Sequence, residues 1–372
     1  MRVGVVGAGK ISSQYSQSFQ RLSQVEVTAV CDLDIGRAEL LAVEHLSARA
    51  MSLEELLGSP DVDLVLNLTT PAAHAPVALA ALAAGRHVYG EKPLAATTDD
   101  GLRMLDAVGS PSAAASGLRL GCAPDTVLGT GVQTARTALD AGAIGVPHAA
   151  TAFMLTPGHE RWHPDPAFYY QPGGGPLFDM GPYYLTSLIH LLGPVRRVVG
   201  AASRPRATRT VGEGPRAGTT FDVEVDTHVT GILEHWSGAL TTLVMSFDTW
   251  AGRVPRIEVY GDDGSLSLPD PNYFNGSVEL FTAGGDWEEI PASAGYVHAG
   301  RGYGVADLAL SLDAGRPHRT AAEVAMHVLD IMESVHAAAD GGAGVVLTTT
   351  CERPEPVPSL VDLTAVLSGD VA

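Results

Sequence analysis

Two lysines stand in a chain of 372 residues that otherwise carries its positive charge on 21 arginines. One of them lies in Gly90-Glu91-Lys92-Pro93-Leu94-Ala95. Arginine keeps its proton near neutral pH, whereas a partly desolvated lysine can release one and take it back. A chain that dispenses with surface lysine invites a chemical reading of the pair it keeps: Lys92 as proton donor and acceptor, Lys10 as a neutraliser of phosphate charge. Position supports this for Lys92. It follows the strand-like run His87-Val88-Tyr89, and the carboxyl ends of parallel strands form the crevice where ligands bind. The bland alternative, a turn lysine ahead of a rigid proline, fits the composition equally well.

A second constellation opens the chain. Val3-Gly4-Val5-Val6 runs into Gly7-Ala8-Gly9-Lys10-Ile11-Ser12, a strand followed by a glycine pair and a helix. Gly7 permits a tight turn. Gly9 lets the backbone approach a pyrophosphate seated on the helix N-terminus, beside Lys10 and Ile11, where N–H groups and the helix dipole favour anions. Ser12 takes the place of the third glycine and is still small enough for close helix-to-strand contact. Asp32 ends the second strand in Ala29-Val30-Cys31-Asp32, where a carboxylate accepts hydrogen bonds from an adenosine ribose. An acid there repels a 2′-phosphate and favours NAD, while nearby Arg37 keeps NADP as the alternative. Gly7 and Gly9 as a plain turn and Asp32 as a helix cap is the competing reading. Strand, loop, helix and acid in register favour the dinucleotide.

These residues need elements to hold them. Over roughly the first 120 residues, short β-branched runs alternate with Ala/Leu-rich amphipathic ones, which predicts a parallel sheet with helices on both faces. Beyond that the rhythm changes. A helix near 129–141 and an aromatic, Pro/Gly-rich loop over 156–175 lead to a helix near 176–192. Strands separated by turn signals follow between 222 and 281, then two helices near 301–314 and 320–339. The expected fold is α/β, a doubly wound Rossmann domain over 1–124, joined to an α+β domain over 125–372 with a large, mostly antiparallel open sheet. The Arg/Gly/Thr segment 203–219 reads as an exposed hairpin loop, and the Pro-rich tail as surface chain.

Composition excludes several partners. With 42 acidic against 23 basic side chains and a net charge of -19, the chain lacks the basic surface that nucleic acid or an anionic membrane draws on. The apolar stretch from Val62 to Gly85 is broken by Asn67, Pro71, His74 and Pro76, which argues against a membrane span. The opening MRVGVVGAG reads as no export signal, so a cytoplasmic location is expected. Cys31, Cys122 and Cys351 are widely spaced and read as free thiols; no metal-ligand spacing such as HExxH occurs, and no metal is expected.

Taken together, Gly7-x-Gly9, Asn67-Leu68-Thr69-Thr70-Pro71-Ala72-Ala73-His74, Ala84-Gly85-Arg86-His87-Val88 leading into Glu91-Lys92-Pro93, and Gly173-Gly174-Gly175-Pro176-Leu177-Phe178-Asp179-Met180-Gly181 resemble the Gfo/Idh/MocA oxidoreductases, the family of glucose-fructose oxidoreductase and inositol dehydrogenase. The resemblance implies reversible hydride transfer between a nicotinamide and a secondary alcohol or ketone of a sugar, glycoside or cyclitol. It implies a cofactor site that includes Thr69, Thr70, Pro71, His74, Glu91 and Lys92, and a catalytic set of Lys92 and Asp179. Many members carry a histidine four residues after the aspartate; here Tyr183 stands there. Residues four apart on a helix share a face, and an ammonium beside a phenol favours the phenolate, so Tyr183 suits proton transfer with Lys92 tuning it, or the two exchange roles. The competing reading makes Tyr183 a packing aromatic, with Tyr184 in its place. Trp162 and His163, in a loop rich in groups that stack on sugar rings, are expected to bind substrate. A catalytically silent regulator of the same fold, or a reductase of a non-carbohydrate substrate, are the alternatives; the intact Lys92, Asp179 and Tyr183 set speaks for the enzyme. The resemblance further implies a homodimer or homotetramer formed through the C-terminal sheet, whose strands alternate apolar and polar residues.

Overall fold

The computed structural model of the chain describes residues 1 to 364. They form two units. The first takes Met1–Gln133, Ser293–Met326 and the residues from Pro354 onward; the second takes Thr134–Ala292 and His327–Arg353. Where the sequence suggested one crossing near residue 124, the chain crosses after Gln133 and returns to the first unit at Ser293 and again at Pro354.

In the first unit the strands are β1 (Arg2–Val6), β2 (Glu26–Cys31), β3 (Arg49–Ala50), β4 (Leu64–Asn67), β5 (His87–Gly90) and β6 (Leu120–Cys122). All pair in parallel, in the order β3-β2-β1-β4-β5-β6. The helices α1 (Ser12–Phe19), α2 (Ile35–Ala42), α3 (Leu53–Gly58), α4 (Pro71–Ala83), α5 (Thr98–Val108) and α6 (Pro111–Ala115) connect them. Val3, Leu64, Val65, Leu66 and Val88 are fully buried, as expected for strands covered on both faces. Register then decides where the chemistry emerges. Val6 lies beside Cys31 and Asn67, Asn67 beside Gly90, and Gly90 beside Cys122, so the chain leaves five neighbouring strands at one edge of the sheet. Strand order reverses between β1 and β4, which is where such sheets hold their ligands.

The second unit takes most of α7 (Thr130–Asp140), then β7 (Pro147–Leu155), α8 (Gly175–Leu192), β8 (Val195–Ser203), β9 (Thr208–Thr210), β10 (Thr220–Asp222), β11 (His228–His235), β12 (Leu240–Ser246), β13 (Ile257–Gly261), β14 (Gly264–Leu268), β15 (Val278–Thr282) and β16 (Trp287–Ile290). After β17 (Gly295–Tyr296) and α9 (Tyr303–Asp313) of the first unit come α10 (Ala322–Gly341), β18 (Val345–Val346) and β19 (Leu360–Val361). Nine strands form one sheet, β16-β15-β14-β13-β7-β12-β11-β8-β18, antiparallel except where β12 meets β7. One face is buried through Val198, Val229, Leu233, Leu243 and Met245. Gly200 of β8 lets the α10 backbone close in, since a Cβ there would collide with the Val335 carbonyl.

Two expectations change. The tail is not surface chain: Val357 and Leu363 are buried in the first unit's core, and β19 pairs with β17. The 203–219 segment is a hairpin, β9 with β10, yet Arg209 and Val211 on it are buried. Among the described residues no helix is long and apolar enough to cross a membrane, and all three cysteines are free.

Asp307 on α9 anchors the returning segment. Its buried carboxylate accepts from Tyr296 Oη and Arg316 Nη2, each at 2.8 Å, from Arg319 N at 2.9 Å, and from the Arg319 guanidinium. Arg319 also donates to the carbonyls of Glu355 and Pro356, tying in the tail. Burial pushes the Asp307 carboxyl up, but Arg319 and Arg316 outweigh it and the net shift is downward. A depressed folded value means a contribution present above the unfolded carboxylate value and lost as pH falls through the folded one. Asp307→Ala should destabilise the chain by about 3–5 kcal/mol, because it strands two partly buried guanidinium groups. Urea unfolding at neutral pH measures this, and the gap to wild type should shrink on acidification.

Candidate active site

The Glu91-Lys92-Pro93 turn leaves β5 gripped from several sides. Glu91 N donates to Asn67 O at 3.0 Å. Tyr15 Oη donates to Glu91 Oε1 at 2.8 Å, and Lys92 N donates to Glu91 Oε2 at 3.0 Å. Burial, then Glu91 and Asp125, push the Tyr15 hydroxyl well above the ordinary phenol value, so it remains a donor. The Glu91 carboxylate is therefore directed into the fold as a tether for the turn. His74 of α4 braces the same turn: Nδ1 lies 2.7 Å from Pro93 O and Nε2 3.1 Å from Thr69 O. Burial pushes its ring below the ordinary imidazole value. Both ring nitrogens thus meet backbone, and His74 links the 69–71 loop to the lysine turn. Asn67 steadies that loop by accepting from Thr69 N and Oγ1 and donating to His74 O. Lys92 itself is half-buried.

The glycine loop fits a dinucleotide. Gly7 has φ +102°, and a Cβ there would lie 2.7 Å from Leu68 O, so the turn admits only glycine. A Cβ on Gly9 would meet nothing within 4 Å: the space above it is open. Ser12 N and Oγ both donate to Gly9 O, at 3.1 and 2.7 Å, which is how a serine serves at the third position. Lys10 is exposed, Ile11 is half-buried at the start of α1, and no side chain caps that helix. Asp32 accepts from Ala8 N at 2.7 Å and Asp34 N at 2.9 Å, about two of the roughly four acceptor positions a carboxylate offers. Arg37 is exposed and turned to Asp34, 3.5 Å away. Thr70 and Pro71 open α4 at the same sheet edge, again with no side-chain cap.

In the second unit α8 carries Asp179 and Tyr183 one turn apart. Tyr183 is 6% exposed. Tyr184, about 100° further round the helix, is wholly buried; burial, and after it Asp270, raise its phenol against the opposing Arg256. Residue 183, and not 184, therefore shares the face of Asp179. The expected aromatic loop is present. Trp162 is half exposed, and His163 sits among Trp162, Phe168 and Tyr169 with Nδ1 accepting from Asp165 N.

His159 is the residue that the sequence reading passed over. Its Nε2 lies 2.7 Å from Asp179 Oδ2, and its ring packs against Tyr169, Phe247 and Trp162. The sequence signal was the histidine pair in His159-Glu160-Arg161-Trp162-His163, which offers two candidates and no way to choose without the turn at Gly158.

The profile of the oxidoreductase family with an NAD-binding Rossmann fold, GFO/IDH/MocA, matches residues 1–115, and that of the GFO/IDH/MocA C-terminal domain matches residues 132–267. The chain is 31% identical over 281 residues to inositol 2-dehydrogenase 3 of Saccharopolyspora erythraea, covering 73% of this chain and 74% of that one. It is 29% identical over 271 residues to 1,5-anhydro-D-fructose reductase of Ensifer adhaerens, covering 71% and 74%. Among solved structures, an NAD-binding oxidoreductase from Klebsiella pneumoniae superposes with a TM-score of 0.79 at 22% identity, over 94% of this chain and 99% of that one, a likeness of fold. With both family profiles matched in order and the glycine loop, lysine turn and α8 aspartate in place, the chain belongs to the Gfo/Idh/MocA family of NAD-dependent oxidoreductases.

Proposed function

We propose that this protein moves a hydride between NAD and a secondary carbinol carbon of a sugar, glycoside or cyclitol, using Lys92, Asp179 and Tyr183. The observation that carries the reading is Asp179 and Tyr183 on one face of α8, with Asp179 held by His159 at 2.7 Å. Gly7, Gly9, Lys10, Ile11 and Asp32 would hold the dinucleotide, with Thr69, Thr70 and Pro71 at the neighbouring loop. The bound nicotinamide supplies the hydride acceptor in oxidation and the donor in reduction. As the substrate C–H bond breaks and the carbonyl forms, the hydroxyl proton passes to Tyr183 Oη or Lys92 Nζ; the same group returns it in reduction. Asp179 fixes a neighbouring hydroxyl, and His159 sets the carboxylate's orientation. Trp162 and His163 supply faces and edges for a sugar ring. The two relatives are named for a cyclitol and an anhydro-sugar, both with ring carbons that support this chemistry. An uncharged polyol also suits a chain of net charge -19, and free thiols suit a reducing cytoplasm.

Nicotinamide absorbance on a panel of sugars, glycosides and inositols tests this. Lys92→Ala and Lys92→Arg should each lose about 10²- to 10⁴-fold in kcat/KM if Lys92 handles the proton. An active arginine variant removes it from that role. NAD binding without turnover of any polyol or keto-sugar would point to a regulator.

Assembly follows from the sheet's other face. Val199, Ile232 and Leu240 are exposed there, Phe153 and Val244 half-buried, with Thr151, Thr230 and Thr242 between them. This apolar area is best covered by a second copy through two-fold symmetry, giving a dimer or a tetramer of dimers. Light scattering at micromolar concentration should report a multiple of the single-chain mass; a monomer would overturn it.

A further inference from the structure

β8 and β11 are adjacent antiparallel strands, yet the chain between them runs from residue 204 to 227, where hairpins of this kind need about 2–5 residues. The excursion is the β9–β10 hairpin, and it is stitched to the aromatic loop. Gly212 N donates to Glu160 O at 2.7 Å, Glu224 N donates to Tyr170 O at 2.8 Å, and Arg216 pairs with Asp165.

From its first strand Arg209 reaches inward, its side chain 1% exposed. Nη1 donates to Glu160 Oε1 at 2.7 Å, Phe247 O at 3.0 Å and Pro157 O at 3.3 Å, and Nη2 donates to Asp248 Oδ1 at 2.6 Å. Its carbon lies 4.9 Å from the Tyr170 ring centre. Tyr170 Oη donates to the other Glu160 oxygen and accepts from His159 N at 3.0 Å. His159 then holds Asp179. Gly158 sits inside this cage at φ +105°: a Cβ there would come within 2.7 Å of Tyr170 Oη and closer still to Glu160 and Arg209. Two carboxylates, a phenol and two carbonyls converge on one guanidinium. A planar fork with five donors suits that arrangement and an ammonium does not.

We propose that Arg209 is a positioning residue for Asp179, acting through Glu160, Tyr170 and His159. It touches no substrate. By fixing the turn at 157–160 it sets where the His159 ring stands, and thereby the direction of the Asp179 carboxylate. The catalytic relevance of this chain of contacts rests on the proposed role of Asp179 in holding substrate; the contacts themselves do not.

The test uses the intact chain with ring-carbon-labelled histidine, Asp179→Asn marking which of the 13 histidine signals belongs to the pair. Arg209→Lys keeps the charge and loses the fork. Tyr170→Phe removes one hydroxyl and keeps the ring, so it reports even where the lysine variant fails to fold. In either folded variant the His159 signal should move toward its position in Asp179→Asn, while NADH binding, read by its fluorescence, stays as in wild type. With whichever of myo-inositol or a 1,5-anhydro-sugar is turned over, kcat/KM should fall by about 10- to 100-fold, as for a misplaced substrate contact. A His159 signal left at its wild-type position in folded Tyr170→Phe and Arg209→Lys would overturn the proposal. Absence of any polyol turnover in wild type would sink the functional reading and leave the histidine result to stand on its own.

Discussion

The Glu91-Lys92-Pro93 turn is held by hydrogen bonds from three neighbouring elements, and that grip places the carboxyl end of β5 beside the loops that leave β4 and open α4. On the proposal that Lys92 exchanges protons, its loop has to be held mainly by other groups. Here the anchoring is done by its neighbours. Asn67 O takes the Glu91 N–H, Tyr15 takes one Glu91 oxygen, the Lys92 N–H takes the other, and His74 meets Pro93 O. Four elements, β4, β5, α1 and α4, thus fix the backbone at Lys92.

The second unit solves the same problem with different parts. Asp179 is directed by a histidine, the histidine by an aromatic loop, and that loop by a buried arginine. Each step uses a charge-assisted or backbone hydrogen bond in a setting poor in water, where such bonds hold their geometry best. Helix α8 is a rigid platform for the pair Asp179 and Tyr183, and rigid elements place functional groups more closely than loops do. The aromatic loop's own position is secured from the hairpin side.

Much of this was legible in the sequence. The positions of the glycine loop, Asp32 and the lysine turn were legible because each follows a short apolar run, and those runs are β1, β2 and β5 of the parallel sheet. Asp179 and Tyr183 were singled out through the family resemblance, and their four-residue spacing put them on one face of a helix, as α8 does. Other features were hidden for physical reasons. β7 lies at the centre of the nine-stranded sheet, but Ala149, Ala150 and Ala152 give it weak strand character, and only burial between β12 and β13 makes it one. The tail reads as surface because of its prolines, yet Val357 and Leu363 find a core that exists only once the chain has returned. Arg209 reads as one more polar residue of a Gly/Thr-rich hairpin. Its partners Glu160, Asp248 and Tyr170 lie far off in sequence, and no local pattern announces a long-range ion pair. Glu91 was legible as part of a motif, but its inward direction depends on Tyr15, a contact no periodicity encodes.

The proposed chemistry is direct hydride transfer from a ring carbinol carbon to the nicotinamide. It is tested most directly by incubating the protein with NAD and ring-deuterated cyclitols and anhydro-sugars in ordinary water, followed by mass spectrometry of the reduced cofactor. Direct transfer predicts NADH carrying the substrate's deuterium. Reduced cofactor without that label, or no reduction by any of these compounds, would contradict it.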